Sequence, residues 1–209
     1  MKTTTIAIII LAALVLLLAC RSRALTSQTR DSQSTPQKSP PQKSASPESP
    51  PQTGPGEAGR GLRLMMLQTS PKEVDVRPSA EFPKVYGVLM DWPLPEQTAT
   101  VFSASDGTAS LYTTSTFGIL GGQSHESVRI AAKKFVKEAG RFYDAATPTT
   151  EYPYPAADRV RFYLLTFDGV RVIDTDWASI NNGTGKYANL FGLGQEVLTE
   201  LRQVSEKIE

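Results

Sequence analysis

The chain predicts an α+β fold: an antiparallel sheet of about five strands with two main helices packed on one of its faces. Two observations carry this expectation. Asp106-Gly107 and Asp168-Gly169 each sit between runs of β-forming residues, the signature of a hairpin turn. Residues 124–143 and 190–208 repeat their apolar side chains at helical spacing. The resulting order of three strands, a helix, two strands and a helix suits a sheet with its helices on a single side.

Taken in order, Ser70-Pro71-Lys72-Glu73 joins a capping residue, a proline at the first helical position and an acidic side chain, which predicts a short helical turn. Lys84 to Trp92 reads as a strand, rich in Val85, Tyr86, Val88 and Leu89 and stopped by Pro93 and Pro95. In the first hairpin, Ala99 to Ser105 and Thr108 to Thr114, a two-residue turn sets Phe102 opposite Leu111 and Ala104 opposite Ala109. Those four make the core face, and Ser103, Ser105, Thr108 and Ser110 make a polar one. The helix over 124–143 gathers Val128, Ala131, Ala132, Phe135, Val136, Ala139 and Phe142 on one side, with Arg129, Lys133, Lys134 and Lys137 across from them. The second hairpin, Arg159 to Phe167 and Val170 to Asp174, sets Leu164 opposite Ile173. The last helix, Leu190 to Ile208, lines up Leu190, Leu193, Val197, Leu198, Leu201, Val204 and Ile208. In element order the whole resembles the profilin, longin and roadblock layouts. The resemblance rests on no shared motif and carries no function with it.

Ahead of this domain lie two segments of different character. Ile6 to Cys20 is an unbroken apolar run behind Lys2, the pattern of a secretory signal. Its 15 residues make a helix of roughly 22 Å, shorter than the ~30 Å hydrocarbon core of a membrane. The run ends Leu17-Leu18-Ala19-Cys20, which resembles the lipobox of bacterial lipoproteins. That resemblance implies acylation of Cys20 and anchoring of the chain at an extracytoplasmic membrane face, where two or three acyl chains hold firmly and one alone is marginal. Cys20 is also the only cysteine in the chain. The alternative is an uncleaved single-pass signal anchor, which Arg21 and Arg23 directly after the apolar run would favour by charge.

Residues 21–60 are dominated by Ser, Pro, Gln, Thr and Lys, with Leu25 as the one large aliphatic and no aromatic. Such a segment buries too little to offset its ordering entropy and is expected to be a disordered tether. It would span roughly 35 Å as a coil and about 120 Å when drawn out. The expected organisation is therefore a signal peptide with lipobox over 1–20, a tether over 21–60 and one globular domain over 61–209. Of the chain's 22 basic and 21 acidic residues, Lys2 and the tether hold seven and three, so the domain keeps 15 basic and 18 acidic. A mildly acidic domain argues against nucleic acid, whose binders present a basic stripe.

Candidate chemistry is sparse. His125 is the single histidine, and no cysteine lies in the domain, so no metal ligand set of a recognised spacing exists and neither metal nor cofactor is expected. Gly118-Ile119-Leu120-Gly121-Gly122 leads to Ser124 and His125 at a helix start, where Gly121, Gly122, Ser124 and His125 form a candidate anion site on backbone amides. Capping by Ser124 and close turning at the glycines is the structural reading of the same residues. Among the carboxylates, Asp91, Glu126, Asp158, Asp174 and Asp176 offer no spacing that selects a catalytic pair. Aromatics in proline-bounded stretches, namely Trp92, Tyr152, Tyr154 and Trp177, are candidate partner contacts on loops. Two functions follow as expectations: a non-enzymatic binding or scaffold domain tethered to the membrane and meeting an envelope protein, or a small-ligand sensor or hydrolase built on Gly118 to Ser127.

Overall fold

A computed structural model of the chain describes residues 55–115 and 118–206. Cys20, the apolar leader and the tether as far as residue 54 lie outside the described residues. The architecture is α+β, with one open antiparallel sheet of six strands and three main helices. The elements are α1 (Pro55–Gln68), β1 (Val85–Leu94), β2 (Gln97–Ala104), β3 (Ala109–Thr113), α2 (Glu126–Gly140), β4 (Thr147–Thr149), β5 (Arg159–Thr166), β6 (Gly169–Asp176), α3 (Trp177–Asn181) and α4 (Ala188–Ser205). Across the sheet the strands run β3-β2-β1-β5-β6-β4.

Two helices cover one face, as the periodicity requires. Val128, Ala131, Ala132, Phe135, Val136 and Ala139 of α2 and Leu190, Val197, Leu201 and Val204 of α4 are buried against Val88, Met90, Val101, Phe162 and Leu164. The other face is covered as well, by α1, the helix that composition hides. Its inward stripe is Gly56, Gly59, Arg63 and Leu67 at intervals of three and four residues, which is one face of a helix. A Cβ on Gly59 would lie 2.2 Å from the Thr113 carbonyl oxygen, and one on Gly56 2.4 Å from that of Thr114, so only glycine lets the helix backbone approach this closely. Helix α1 thus takes in residues 55–60, which composition assigned to the tether. A tether composition and a helix that packs through glycines look alike in sequence.

The central strand serves both faces because of a bulge between Val85 and Gly87. Val85, Val88 and Met90 join the α2 and α4 side, while Tyr86 and Leu89 join the α1 side. Strand β1 continues through Pro93 instead of stopping before it: past Asp91 it pairs only with β2, so β5 makes no demand on the missing N–H. The expected turn after Ser70 is present, with the Ser70 amide donating to the Glu73 carboxylate at 2.7 Å.

Both hairpins form, and both registers differ from expectation. In the first, Val101 pairs with Leu111, Phe102 with Ser110 and Ser103 with Ala109. The loop is three residues, Ser105 to Gly107, with the Gly107 amide bonded to Ala104 and a left-handed φ of 95° at Gly107. One extra residue reverses which side chains share a face. Phe102 therefore turns to the α1 side, and Ser103 and Ser110, expected to be exposed, are buried. In the second hairpin Leu164 pairs with Arg171 and Ile173 with Phe162. Here the turn is Phe167-Asp168, one residue earlier than expected, and the Thr166 hydroxyl bonds to Asp168 and Gly169 across it. A shift of two leaves the faces as expected.

Candidate binding cleft

Under α1 the sheet carries a buried ion pair. Asp91 is fully buried and Arg63 is 3 % exposed. Arg63 Nε and Nη2 donate to Asp91 Oδ2 at 2.9 and 2.5 Å, and the Thr100 hydroxyl donates to Oδ1 at 2.5 Å. Burial pushes the Asp91 carboxyl above the usual carboxylate range, against the pull of Arg63 and Thr100. Burial also opposes the Arg63 charge, but the neighbouring Asp91 charge and its hydrogen bonds overcome it and hold the guanidinium above its ordinary value.

The same arginine shapes the surface. Its Nη1 donates to the Tyr152 carbonyl at 2.9 Å, and its guanidinium lies 4.1 Å from the Tyr154 ring and 5.2 Å from that of Tyr163. Arg161 Nη1 reaches the carbonyls of Pro153 and Tyr154 at 3.0 and 3.2 Å, and the Tyr163 hydroxyl donates to Pro153 at 2.6 Å. The segment Tyr152-Pro153-Tyr154-Pro155 is thereby pinned over β5 as a wall. The opposite wall is the end of α1 and the turn after it, held by Tyr86, whose hydroxyl donates to the Thr69 carbonyl at 3.0 Å. Burial pushes that hydroxyl's pKa up to about 12 and keeps it a donor.

Between these walls opens a cleft of about 710 Å³, with Tyr86, Thr166 and Val170 beneath and Thr149 and Thr150 at the β4 rim. Asp168 stands at its edge. Hydrogen bonds from Thr166 and then from Tyr143 hold its carboxyl below the usual carboxylate range, so it is charged at neutral pH. Arg171 lies 3.7 Å from it and is stacked 4.2 Å from the Tyr143 ring. The cleft sits at the end of the sheet away from the start of α1. Gly56 lies against Thr114, level with Pro93 and Thr98, whereas Tyr86 is seven residues back along β1, roughly 23 Å at strand rise.

The residues singled out in sequence divide into three groups. Trp92, 6 % exposed, and the half-buried Trp177 meet edge-on around Phe191 on the α4 side, away from the cleft. Tyr152 lines the cleft just described, whereas Tyr154 stacks on the Arg63 guanidinium and does not line it. Gly121, Gly122, Ser124 and His125 line a separate hollow of about 280 Å³ beside Val204 and Ser205. There the glycines answer to packing: a Cβ on Gly118 would lie 1.7 Å from the Leu111 oxygen, and one on Gly122 2.6 Å from Leu201. The cap of α2 is His125, not Ser124, and no side chain caps it. Ser124 belongs to a short 3-10 turn that ends one residue before the cap.

The carboxylates do not converge. Asp91 pairs with Arg63, Glu126 with Arg129 and Asp174 with Arg159 and Arg161, while Asp176 caps α3 at the Ser179 amide. Among the described residues no group of three or more His, Cys, Asp or Glu could hold a metal ion, and no helix is long and apolar enough to cross a membrane. Sequence reasoning missed Arg63, Asp168 and Tyr86. The one signal for Arg63 was its place in the stripe Gly56, Gly59, Arg63, Leu67. No family model, no curated protein and no solved structure matches the chain.

Proposed function

We propose that this chain is a cell-envelope lipoprotein whose domain is a binding module, held at the membrane through Cys20 and meeting its ligand at the cleft between α1 and β4. The observation that carries the reading is polarity along the molecule: the chain enters the domain at Pro55, beside Thr114, and the cleft opens at the far end of the same sheet face. A long flexible tether joined at one end leaves the other end of the domain unobstructed, so the cleft is free to meet a ligand away from the bilayer.

Binding rather than catalysis is favoured by what lines the cleft. Tyrosines, threonines and one carboxylate supply contacts and hydrogen bonds, while the His125 side chain, on the opposite side of the sheet, makes no hydrogen bond to Ser124 or Ser127 that would activate a nucleophile.

The test is membrane fractionation of the wild-type chain and a Cys20→Ser variant, with intact mass measured on each. The wild type is expected in the membrane fraction with added acyl mass, and the variant released without it. A wild-type chain of unmodified mass, or a variant retained as firmly as the wild type, refutes the anchor.

A further inference from the structure

We infer that the cleft between α1 and β4 takes a neutral saccharide of a few units; this rests on the reading of the domain as a tethered binding module. The first reason is charge. No Lys, Arg or His lines the cleft, so no cation there binds a phosphate, sulfate or carboxylate, and the one ionised side chain among the lining residues, Asp168, is itself an anion. Arg171 is engaged with Asp168 and with the Tyr143 ring instead.

The second reason is the kind of hydrogen bonding on offer. The Gln68 amide and the Thr150 and Tyr152 hydroxyls line the cleft and make no hydrogen bond within the described residues. Each of these groups both donates and accepts, as a sugar hydroxyl does, whereas Lys and Arg only donate. Pro71, Pro148 and Val170 supply apolar surface between them for the C–H faces of a sugar ring.

The third reason bears against an extended peptide. A β-extended ligand of that kind gains main-chain hydrogen bonds by adding a strand to a sheet edge. The edge at this cleft is β4, three residues long with Pro148 at its centre, a short strand that lacks one N–H and is poorly suited to pairing.

The test is calorimetric titration of the full acylated chain in detergent micelles with two neutral oligosaccharides, the N-acetylglucosamine tetramer and maltotetraose. Dextran sulfate and an oligolysine peptide serve as the competing classes. Saturable binding of a neutral oligosaccharide is expected. Gln68→Ala and Thr150→Ala, both at exposed positions without internal bonds, should each weaken it about threefold to tenfold, the scale of one lost hydrogen bond. Lys133→Ala, on the outer side of α2, should leave it unchanged. Two outcomes overturn the inference: no saturation by either neutral sugar in a sample whose circular dichroism is that of the folded chain, or preferential saturation by the polyanion or the polycation. Membrane partition is measured on the same preparation. A null titration beside intact partition removes the saccharide and leaves the tethered module, whereas lost partition beside a saturating titration does the reverse.

Discussion

The two faces of the sheet are built on different principles. On the α2 and α4 side the core is mainly aliphatic and aromatic, from Phe135 and Leu201 to Val101 and Phe162, and the buried Ser103 hydroxyl has no partner among the described residues. On the α1 side a charged pair, four tyrosines and two close-packed glycines take the place of aliphatic bulk. Burying apolar area gives stability without direction, whereas a buried ion pair holds only in one geometry and contributes little net stability. The contrast assigns the first face to holding the fold together and the second to fixing where α1 and the Tyr152 wall sit. The cleft is on the second.

Substitutions can break that contrast, and the largest expected effects fall at its two poles. Phe135→Ala should cost about 3–5 kcal/mol in urea unfolding, the usual range for emptying a large core site, and equally at neutral and acid pH because no proton is involved. Arg63→Met should cost about as much, 3–5 kcal/mol, by leaving Asp91 buried without its counter-charge. Its loss should shrink as the pH falls and Asp91 takes up a proton. A loss with the same pH dependence in both variants would remove the distinction between the faces. Replacing the whole triad, Arg63→Met with Asp91→Leu and Thr100→Val, should recover most of the stability. The same triple variant should loosen the Tyr152 wall, seen as faster amide exchange over 150–155.

The wild-type chain carries the two pH signatures with opposite sign. The raised Asp91 carboxyl binds its proton more tightly in the folded chain. Its contribution is complete below the ordinary carboxylate value and is lost as the pH rises to the raised one. The lowered Asp168 contributes above the ordinary value, and that contribution is lost as the pH falls through the lowered one. In Asp168→Asn the loss of stability on the acid side should therefore be shallower, as read from urea midpoints across pH.

Smaller changes sharpen the comparison. Gly59→Ala places a methyl group against the Thr113 carbonyl and should cost about 1–3 kcal/mol, with faster amide exchange in α1 than in α2. Ser103→Ala should raise stability by about 1 kcal/mol, because it removes a buried hydroxyl that has no partner.

How much of this was legible in sequence follows the same division. Helices α2 and α4 were plain because Val128, Phe135, Val197 and Leu201 recur at 3.6-residue spacing, and both hairpins were marked by Asp-Gly. Register was not legible. A two-residue and a three-residue turn share the same dipeptide, and the choice depends on whether Gly107 closes the loop or sits within it. Helix α1 was hidden because its buried stripe is Gly, Gly, Arg and Leu, which has no apolar period, and its neighbours are the prolines of a linker. The cleft was half legible: proline-bounded Tyr152 stood out, but Asp168 read only as a turn residue, and Arg63, just inside the expected domain boundary, carried no signal of burial.

The central claim is that the α1 side of the sheet, and not the α2 side, meets the ligand. It is tested most directly by placing a photocrosslinking residue at Thr150, on the cleft rim, or at Ile130, on the outer surface of α2, in the full chain expressed in intact cells. Adducts from position 150 and none from position 130 are the predicted result. Adducts from position 130 alone would contradict it.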